Sequence, residues 1–572
     1  MSDERTPVTR RKFLEMVGAA GGTAAVYETM VAMGLLTVPN AYAGPPDVSG
    51  TPGAGKRVIV LGAGVAGLTA AWRLKQAGYT VAVFEALDRL GGRNFTVSTA
   101  ARDRRNVIRQ ENLADQTCKF TGDPEKQYFE AGPGRIPYHH VALLELCQQL
   151  GVALEPYVME TRANRFQSDA AFDQQATVNR RIANDTRGYI AELLAKAINT
   201  KQLDNELSPA DRERLLSLLG TFGDISPKSD PPYKYAGSTR SGYVRDPGVA
   251  DPGEQPPPLK LDALLKSEFW KHRFYQPEDY LWQPTLFHPV GGMRRIVDAL
   301  VREVGEQNIR RGTAAARIVN GDDSVTVTLR DGSNVSGDYC ISTIPLPLLG
   351  KLLAADTFEP DFIKAVGAVE FAPTCKVGWQ ASSRFWEALK NPDGSNGPQI
   401  FGGISWINHP ITQMWYTSGD YFAKGPAILT GAYNYDAPGK PVATEFGKLA
   451  LDKRLEVALQ GGEKLHPEFR RFVPAATGLS IAWQQVAFIG GGWAEWNRDD
   501  PQHAAAYRRL LRADRRFVVS GDQVSYLPGW QEGAVLSAYH VVDLITGRAK
   551  LASRAAAESI VAPDSAAVTG SR

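Results

Sequence analysis

The chain has 572 residues, 43% of them hydrophobic and 22% charged, with a formal net charge of +2. That length exceeds one compact core and predicts two or three domains. The near-neutral balance argues against a nucleic acid partner. Four cysteines without a CxxC pair or a Cys/His cluster argue against a disulfide framework or a metal site.

Thr9-Arg10-Arg11-Lys12-Phe13-Leu14 precedes a weakly apolar, Gly/Ala-rich stretch over 17–38, then Ala41-Tyr42-Ala43 before Gly44. Glu28 and several glycines interrupt the run, so it falls short of the ~20 apolar residues of a membrane span. The layout resembles a twin-arginine signal over 1–43, cleaved after Ala43. It implies export of an already folded protein by the twin-arginine machinery, to the periplasm or beyond. Residues 44–56 read as a Gly/Pro-rich linker.

Arg57-Val58-Ile59-Val60-Leu61 is a continuous apolar run, the pattern of a buried parallel strand. A helix is expected over 66–76 and a second buried strand over 80–85. Gly62-Ala63-Gly64-Val65-Ala66-Gly67 falls between the first strand and the helix. Gly62 allows the tight turn, Gly64 lets a pyrophosphate approach the backbone, and Gly67 lets helix and strand pack. The phosphates then rest on the helix N-terminus, where free N–H groups favour negative charge. Glu85 ends the second strand, in the place of an acid that holds ribose hydroxyls. This unit binds a dinucleotide, with Gly62, Gly64, Ala66, Gly67, Glu85 and Ala86 as its residues. Arg89-Leu90-Gly91-Gly92-Arg93 then offers a second backbone loop, with Arg89 and Arg93 as cations and Gly92 between them.

Further helices are expected over 141–150, 179–201, 209–219, 444–459 and 533–546. Strands are expected over 316–329, 334–342, 375–381, 427–433 and 516–520. Residues 223–260 read as a long surface excursion. Because βαβ material lies at the start, middle and end, the fold class is α/β (α+β). A Rossmann-like nucleotide domain (57–135, 281–345, 481–550) is interleaved with a substrate domain of mixed sheet and helices (136–280, 346–480). A tail is expected over 551–572.

The motif order resembles the flavin-containing amine oxidase family from about Arg57 to Arg548. Phe129 to Pro137 looks like the segment passing beneath the flavin, with Gly134 and Arg135 touching it. Pro289-Val290-Gly291-Gly292-Met293 matches a later turn of the nucleotide domain. Lys376, nine residues before Phe385-Trp386, matches the active-site lysine. Gly521-Asp522 and Gly529-Trp530-Gln531-Glu532-Gly533-Ala534 match the closing motif. The resemblance implies FAD. Asp522 stands where the family has Glu against the ribityl chain, and Ala534 lies at the helix start. Trp493 and Trp530 are implied as aromatic walls facing the ring, and Lys376 as the holder of a water. The monoamine oxidase branch has a flavin-bearing Cys where Gly492 stands, so the FAD is expected to be non-covalent.

Gly132-Pro133-Gly134-Arg135 fits the pattern by which L-amino acid oxidases set an Arg against the substrate carboxylate. By resemblance Tyr416 shares that carboxylate and the Gly529 carbonyl accepts from the amine. His139 and His140 read as surface or helix-cap residues, with the alternative that one of them lines the pocket or acts as a base. The expected reaction converts an L-amino acid and O₂ to a 2-oxo acid, ammonia and H₂O₂. Trp415, Trp493, Trp530 and Phe371 incline the pocket towards hydrophobic or aromatic side chains. The alternatives are an oxidase of amines without a carboxylate, a decarboxylating monooxygenase, and a flavin carrier without turnover. A homodimer is expected.

Overall fold

The run Arg57–Leu61 alternates no polar residue into its centre, and Val58, Ile59 and Val60 are fully buried. It is the middle strand of a five-stranded parallel sheet. The order across the sheet is Ile309–Arg310, Thr80–Phe84, Arg57–Leu61, Tyr339–Ser342, Phe517–Val519. Both faces are covered, as a parallel sheet requires. Helices Val65–Gln76, Arg294–Val304 and Gln531–Thr546 share one apolar cluster with Val58, Val60 and Val81. Ile59, Leu61, Phe84 and Phe517 face another cluster, with the antiparallel Ala315–Asn320, Val325–Leu329 and Asn334–Gly337 sheet.

This computed structural model describes residues 55–547 apart from 101–103, 204 and 422, together with Tyr42, Gly44, Pro45, Pro46, Val48 and Gly53. The signal expected over 1–43, Tyr42 excepted, and the tail over 551–572 lie outside the described residues. So does part of the 44–56 linker. Among the described residues no helix is long and apolar enough to cross a membrane.

A seven-stranded mixed sheet forms the second layer system, in the order Thr177–Val178, Arg165–Gln167, Ile404–Ile407, Gln413–Trp415, Ala427–Tyr435, Thr374–Ala381, Leu479–Ala482. The α/β class with a Rossmann-like sheet and a second mixed domain therefore holds. Three expected elements differ. The strand expected over 334–342 is two: Asn334–Gly337 belongs to the antiparallel sheet and Tyr339–Ser342 to the parallel one. The chain passes between them at Asp338, whose carboxylate accepts the Arg57 N–H. The run over 316–329 is two strands, because Gly321–Ser324 closes a turn through the Gly321 N–H to the Ser324 carbonyl. The helix expected over 444–459 is two, Val442–Lys448 and Leu451–Leu465. Leu449 turns extended between them, and the carbonyls of Gly447 and Leu449 accept from the buried Arg454 guanidinium. All four cysteines are buried and unpaired.

Candidate functional site

Parallel strands aim their carboxyl ends at one edge of the sheet, the edge where α/β proteins bind ligands. Gly62, Glu85, Thr343 and Gly521 follow four of these strands, and all four line one cleft of about 590 Å³. That volume is in the ordinary range for cofactor sites.

The three glycines of the first loop meet three different surroundings. Gly62 has φ +105°, and a Cβ there would lie 2.2 Å from Thr343 Oγ1. A Cβ on Gly67 would lie 2.1 Å from the Gly62 carbonyl oxygen, so this glycine is a packing residue and does not line the cleft. Gly64 lines the cleft, and a Cβ there would meet nothing nearer than 3.8 Å. A side chain there would project into the cleft. We expect Gly64→Val to fold and to lose bound flavin at least about tenfold, or about 1.4 kcal/mol. Unchanged flavin content per folded chain would contradict this placement.

Buried Glu85 accepts from Ala63 N–H at 2.8 Å and Leu87 N–H at 2.9 Å. Burial pushes its carboxyl up against those two bonds. The Gly91 N–H donates to the Ala63 carbonyl at 2.9 Å, tying the two glycine loops together. Ala66, Ala86, Gly92, Arg93, Asp522, Gly529, Trp530 and Ala534 all line the cleft. Arg93 donates to both Asp522 carboxylate oxygens and to the Gly492 carbonyl. Asp522 also accepts the Gly529 N–H at 2.7 Å. Arg89 differs from expectation. Its guanidinium lies 3.9 Å over the Phe95 ring and donates to the Gly92 carbonyl, so it braces the loop from behind rather than lining the cleft.

The far end of the cleft is a face of the seven-stranded sheet. Side chains alternate across a strand, so Thr374 and Lys376 share a face, and their cross-strand partners Tyr435 and Tyr433 share it too. A Cβ on Gly378, two residues further, would lie 2.4 Å from the Phe129 ring. This is where the segment Phe129 to Arg135 crosses. Lys376 Nζ donates to two carbonyls of that segment, Glu130 at 3.1 Å and Gly132. Burial, with the nearby Arg135 charge, pulls the Lys376 ammonium down to about 7, against the opposing pull of Glu130.

The ordinary Lys376 value is 10.5. Between about 7 and that value the unfolded chain holds a proton the folded chain lacks, so this group makes stability rise with pH. We expect denaturant titrations of the flavin-free protein at pH 7.5 and 9.5 to show that rise, and Lys376→Met to lose part of it. Parallel pH profiles would contradict the assignment.

Arg135 lies beyond this end of the cleft, buried, with Nε and Nη1 lacking any hydrogen-bond partner. Its guanidinium is sandwiched 4.2 Å from the Trp282 ring and 4.6 Å from the Trp415 ring. Gly134 abuts the same Trp415, where a Cβ would lie 2.9 Å from the indole. Only tyrosines, 157 and 433, raise the Arg135 value, while burial lowers it. Among the described residues no acidic side chain pairs with it.

Tyr416 is not part of this group. It is buried in a separate apolar cluster, with its hydroxyl 2.9 Å from Ser405 Oγ and 2.7 Å from His466 Nε2. Trp415 and Tyr416 are consecutive, so when Trp415 faces Arg135 its neighbour faces away. The tyrosines beside Arg135 are Tyr157 and, from the adjoining strand, Tyr433. His140 is neither exposed nor a cap. It occupies the position before helix Val141–Gln149, but Glu532 accepts the Ala142 and Leu143 N–H groups instead. Burial holds the His140 imidazole down at about 3, edge-on to Trp530 at 4.9 Å. His139 stacks on Tyr280 at 4.3 Å. Trp493 lines the cleft and meets Tyr435 edge-on at 5.2 Å. Tyr157, Trp282, Tyr433, Trp483, Arg330 and Lys351 escaped the sequence reading. None sits in a motif, and each joins the site through long-range packing.

The family model described as flavin containing amine oxidoreductase matches residues 65–546. A flavin-dependent L-tryptophan oxidase from Lentzea aerocolonigenes is 26% identical over 516 residues, 86% of this chain and 98% of that protein. An L-amino-acid oxidase from Siganus canaliculatus is 24% identical over 84% of this chain and 83% of its own. Among solved structures, a putrescine oxidase bound to putrescine superposes with TM-score 0.53 at 16% identity, covering 86% of this chain and 99% of its own. A cyclohexylamine oxidase from Brevibacterium oxydans IH-35A gives 0.52 at 15% identity, covering 86% and 99%. These two likenesses concern the fold.

Proposed function

The chain belongs to the flavin-containing amine oxidoreductase family, and from that premise we propose that it oxidises L-amino acids, using non-covalent FAD. The observation that carries the amino acid reading is the buried Arg135 guanidinium without an acidic partner. A buried charge is stable only when compensated, and the α-carboxylate of a bound amino acid supplies that compensation bidentately. An amine without a carboxylate leaves it uncompensated.

The residues fit a dinucleotide: Glu85 lies at one end of the cleft, open space beside Gly64 and Gly92 in the middle, and Lys376, Trp493 and Trp530 at the other end. Glu85 holds a ribose, although its oxygens already accept from two N–H groups. The first helix N-terminus takes the pyrophosphate. When bound, the flavin supplies the two-electron acceptor that takes a hydride from the substrate and passes the electrons on to O₂.

This chain's own residues position and exclude. Trp282 and Trp415 hold the Arg135 fork flat for the carboxylate. The Gly529 carbonyl accepts from the substrate amine. Trp493 and Trp530 keep water from the reacting carbon. Lys376, neutral above about 7, is able to take a proton or hold a water there. Position 492 is a glycine, so no thiol stands there to attach a flavin, and a Cβ there would lie 2.4 Å from Thr374 Oγ1. Acid precipitation is therefore expected to release all the flavin; colour retained in the pellet would refute non-covalent binding. The test of the reaction is product analysis. Equal amounts of 2-oxo acid and H₂O₂ are expected, whereas an amide would mark a decarboxylating monooxygenase. Export through the twin-arginine route remains part of this reading, tested by the N-terminal sequence of exported protein, expected to begin at Gly44.

A further inference from the structure

Arg135 is not the sole cation on this face without an acidic partner. Arg273 follows the short turn Phe269–His272 and has φ +62°, a conformation that a side-chain-bearing residue adopts at some cost. The loop is held there by buried Phe269 and Phe274, both packed on Phe166. Its guanidinium carbon lies over the Tyr435 ring, 3.7 Å from the centroid. No salt bridge or side-chain hydrogen bond to Arg273 occurs among the described residues; burial lowers its value and Tyr433 raises it. Tyr433 feels both arginines.

The arrangement is ordered along the strand Ala427–Tyr435. Tyr433, facing Lys376, has Arg135 beside it, and Tyr435, facing Thr374, has Arg273 over it. Tyr435 in turn meets Trp493, a wall of the cleft. Of the four aromatic residues that inclined the pocket towards apolar substrates, Trp415 is engaged with Arg135 and Lys376, and Phe371 lies 5.6 Å from the Arg93 guanidinium. One carboxylate neutralises one guanidinium. Arg273 is half-buried, so a substrate carrying only the α-carboxylate leaves it with the Tyr435 ring and solvent but no anion.

Resting on the amino acid reading above, we propose that Arg273 receives a second acidic group, and that the substrates are L-amino acids with a side-chain carboxylate, L-glutamate or L-aspartate. Planar guanidinium held by an aromatic face is preorganised for a carboxylate, and it discriminates against the neutral amide of the same shape.

The test is a peroxide assay of the holoenzyme with L-glutamate, L-aspartate, L-glutamine, L-asparagine, L-leucine and L-phenylalanine. At least one acid is expected to exceed its amide in kcat/KM by about 30-fold or more. Arg273→Gln is expected to collapse that ratio chiefly through KM, and Arg273→Lys to restore part of it. The flavin absorbance of each variant reports its folding. If Arg273→Gln fails to hold flavin, the wild-type ratio decides alone. Oxidation of leucine, phenylalanine or the amides as well as the acids would overturn the role of Arg273 and leave the amino acid reading standing. No oxidation of any of the six, with simple amines oxidised instead, would overturn both.

Discussion

Arg135→Met is expected to lower kcat/KM for L-amino acids by about 30-fold to several thousand-fold, the cost of truncating one member of a buried charge pair. It is also expected to leave the flavin-free protein as stable as before, or more stable. The two halves come from one geometry. In the free chain the guanidinium is buried with Nε and Nη1 unpartnered and a hydrogen bond to the Tyr157 side chain alone, so its removal sheds a charge that has no acidic partner at the cost of one bond to a neutral group. Trp282 and Trp415, which stack on its faces, close over a methionine of similar length. An ordinary structural arginine behaves oppositely, since its loss strands a carboxylate. A melting temperature that falls with little change in kinetics would therefore identify Arg135 as structural.

Asp522→Ala is expected to destabilise the protein by about 3 kcal/mol and to abolish flavin retention. The Arg93–Asp522 pair has side-chain exposures of 27% and 8%, which places it near the lower end of the range for breaking a buried pair. The carboxylate holds more than Arg93. Its bond to the Gly529 N–H fixes the turn at φ +81° that carries Trp530. Arg93 reaches in turn to the Gly492 carbonyl beside Trp493. Both aromatic walls are thus tied to this single carboxylate. Asp522→Asn keeps an acceptor for Gly529 while losing the charge, and should fall between. Equal flavin content in Asp522→Ala and the wild type would show that the pair does not organise the site.

The nucleotide half of the site was legible because its determinants are local. Gly62, Gly64 and Gly67 act within six residues of each other, and a strand and a helix flank them. The same holds for Gly529 to Ala534 at the head of the last helix. The substrate half is built from pairs distant in sequence. Trp282 and Trp415 meet across Arg135, and Lys376 meets Tyr433 only through strand register. Register is fixed by the whole sheet, not by any window of sequence. The placement of Tyr416 shows the cost: it sits one residue from Trp415, and one residue reverses the face. Arg89 shows a second limit. A basic residue beside a glycine loop reads as a phosphate ligand, yet the Phe95 ring and the Gly92 carbonyl already engage it. His140 was misread because a histidine before a helix suggests a cap, whereas Glu532, 392 residues downstream, does the capping.

The central claim is that Arg135 waits for an α-carboxylate. It is tested most directly by anaerobic mixing of the holoenzyme with each L-amino acid and with the amine that remains when its α-carboxylate is removed. At least one amino acid is expected to bleach the flavin about 100-fold or more faster than its decarboxylated amine. An amine that bleaches the flavin as fast as its parent amino acid would contradict the account.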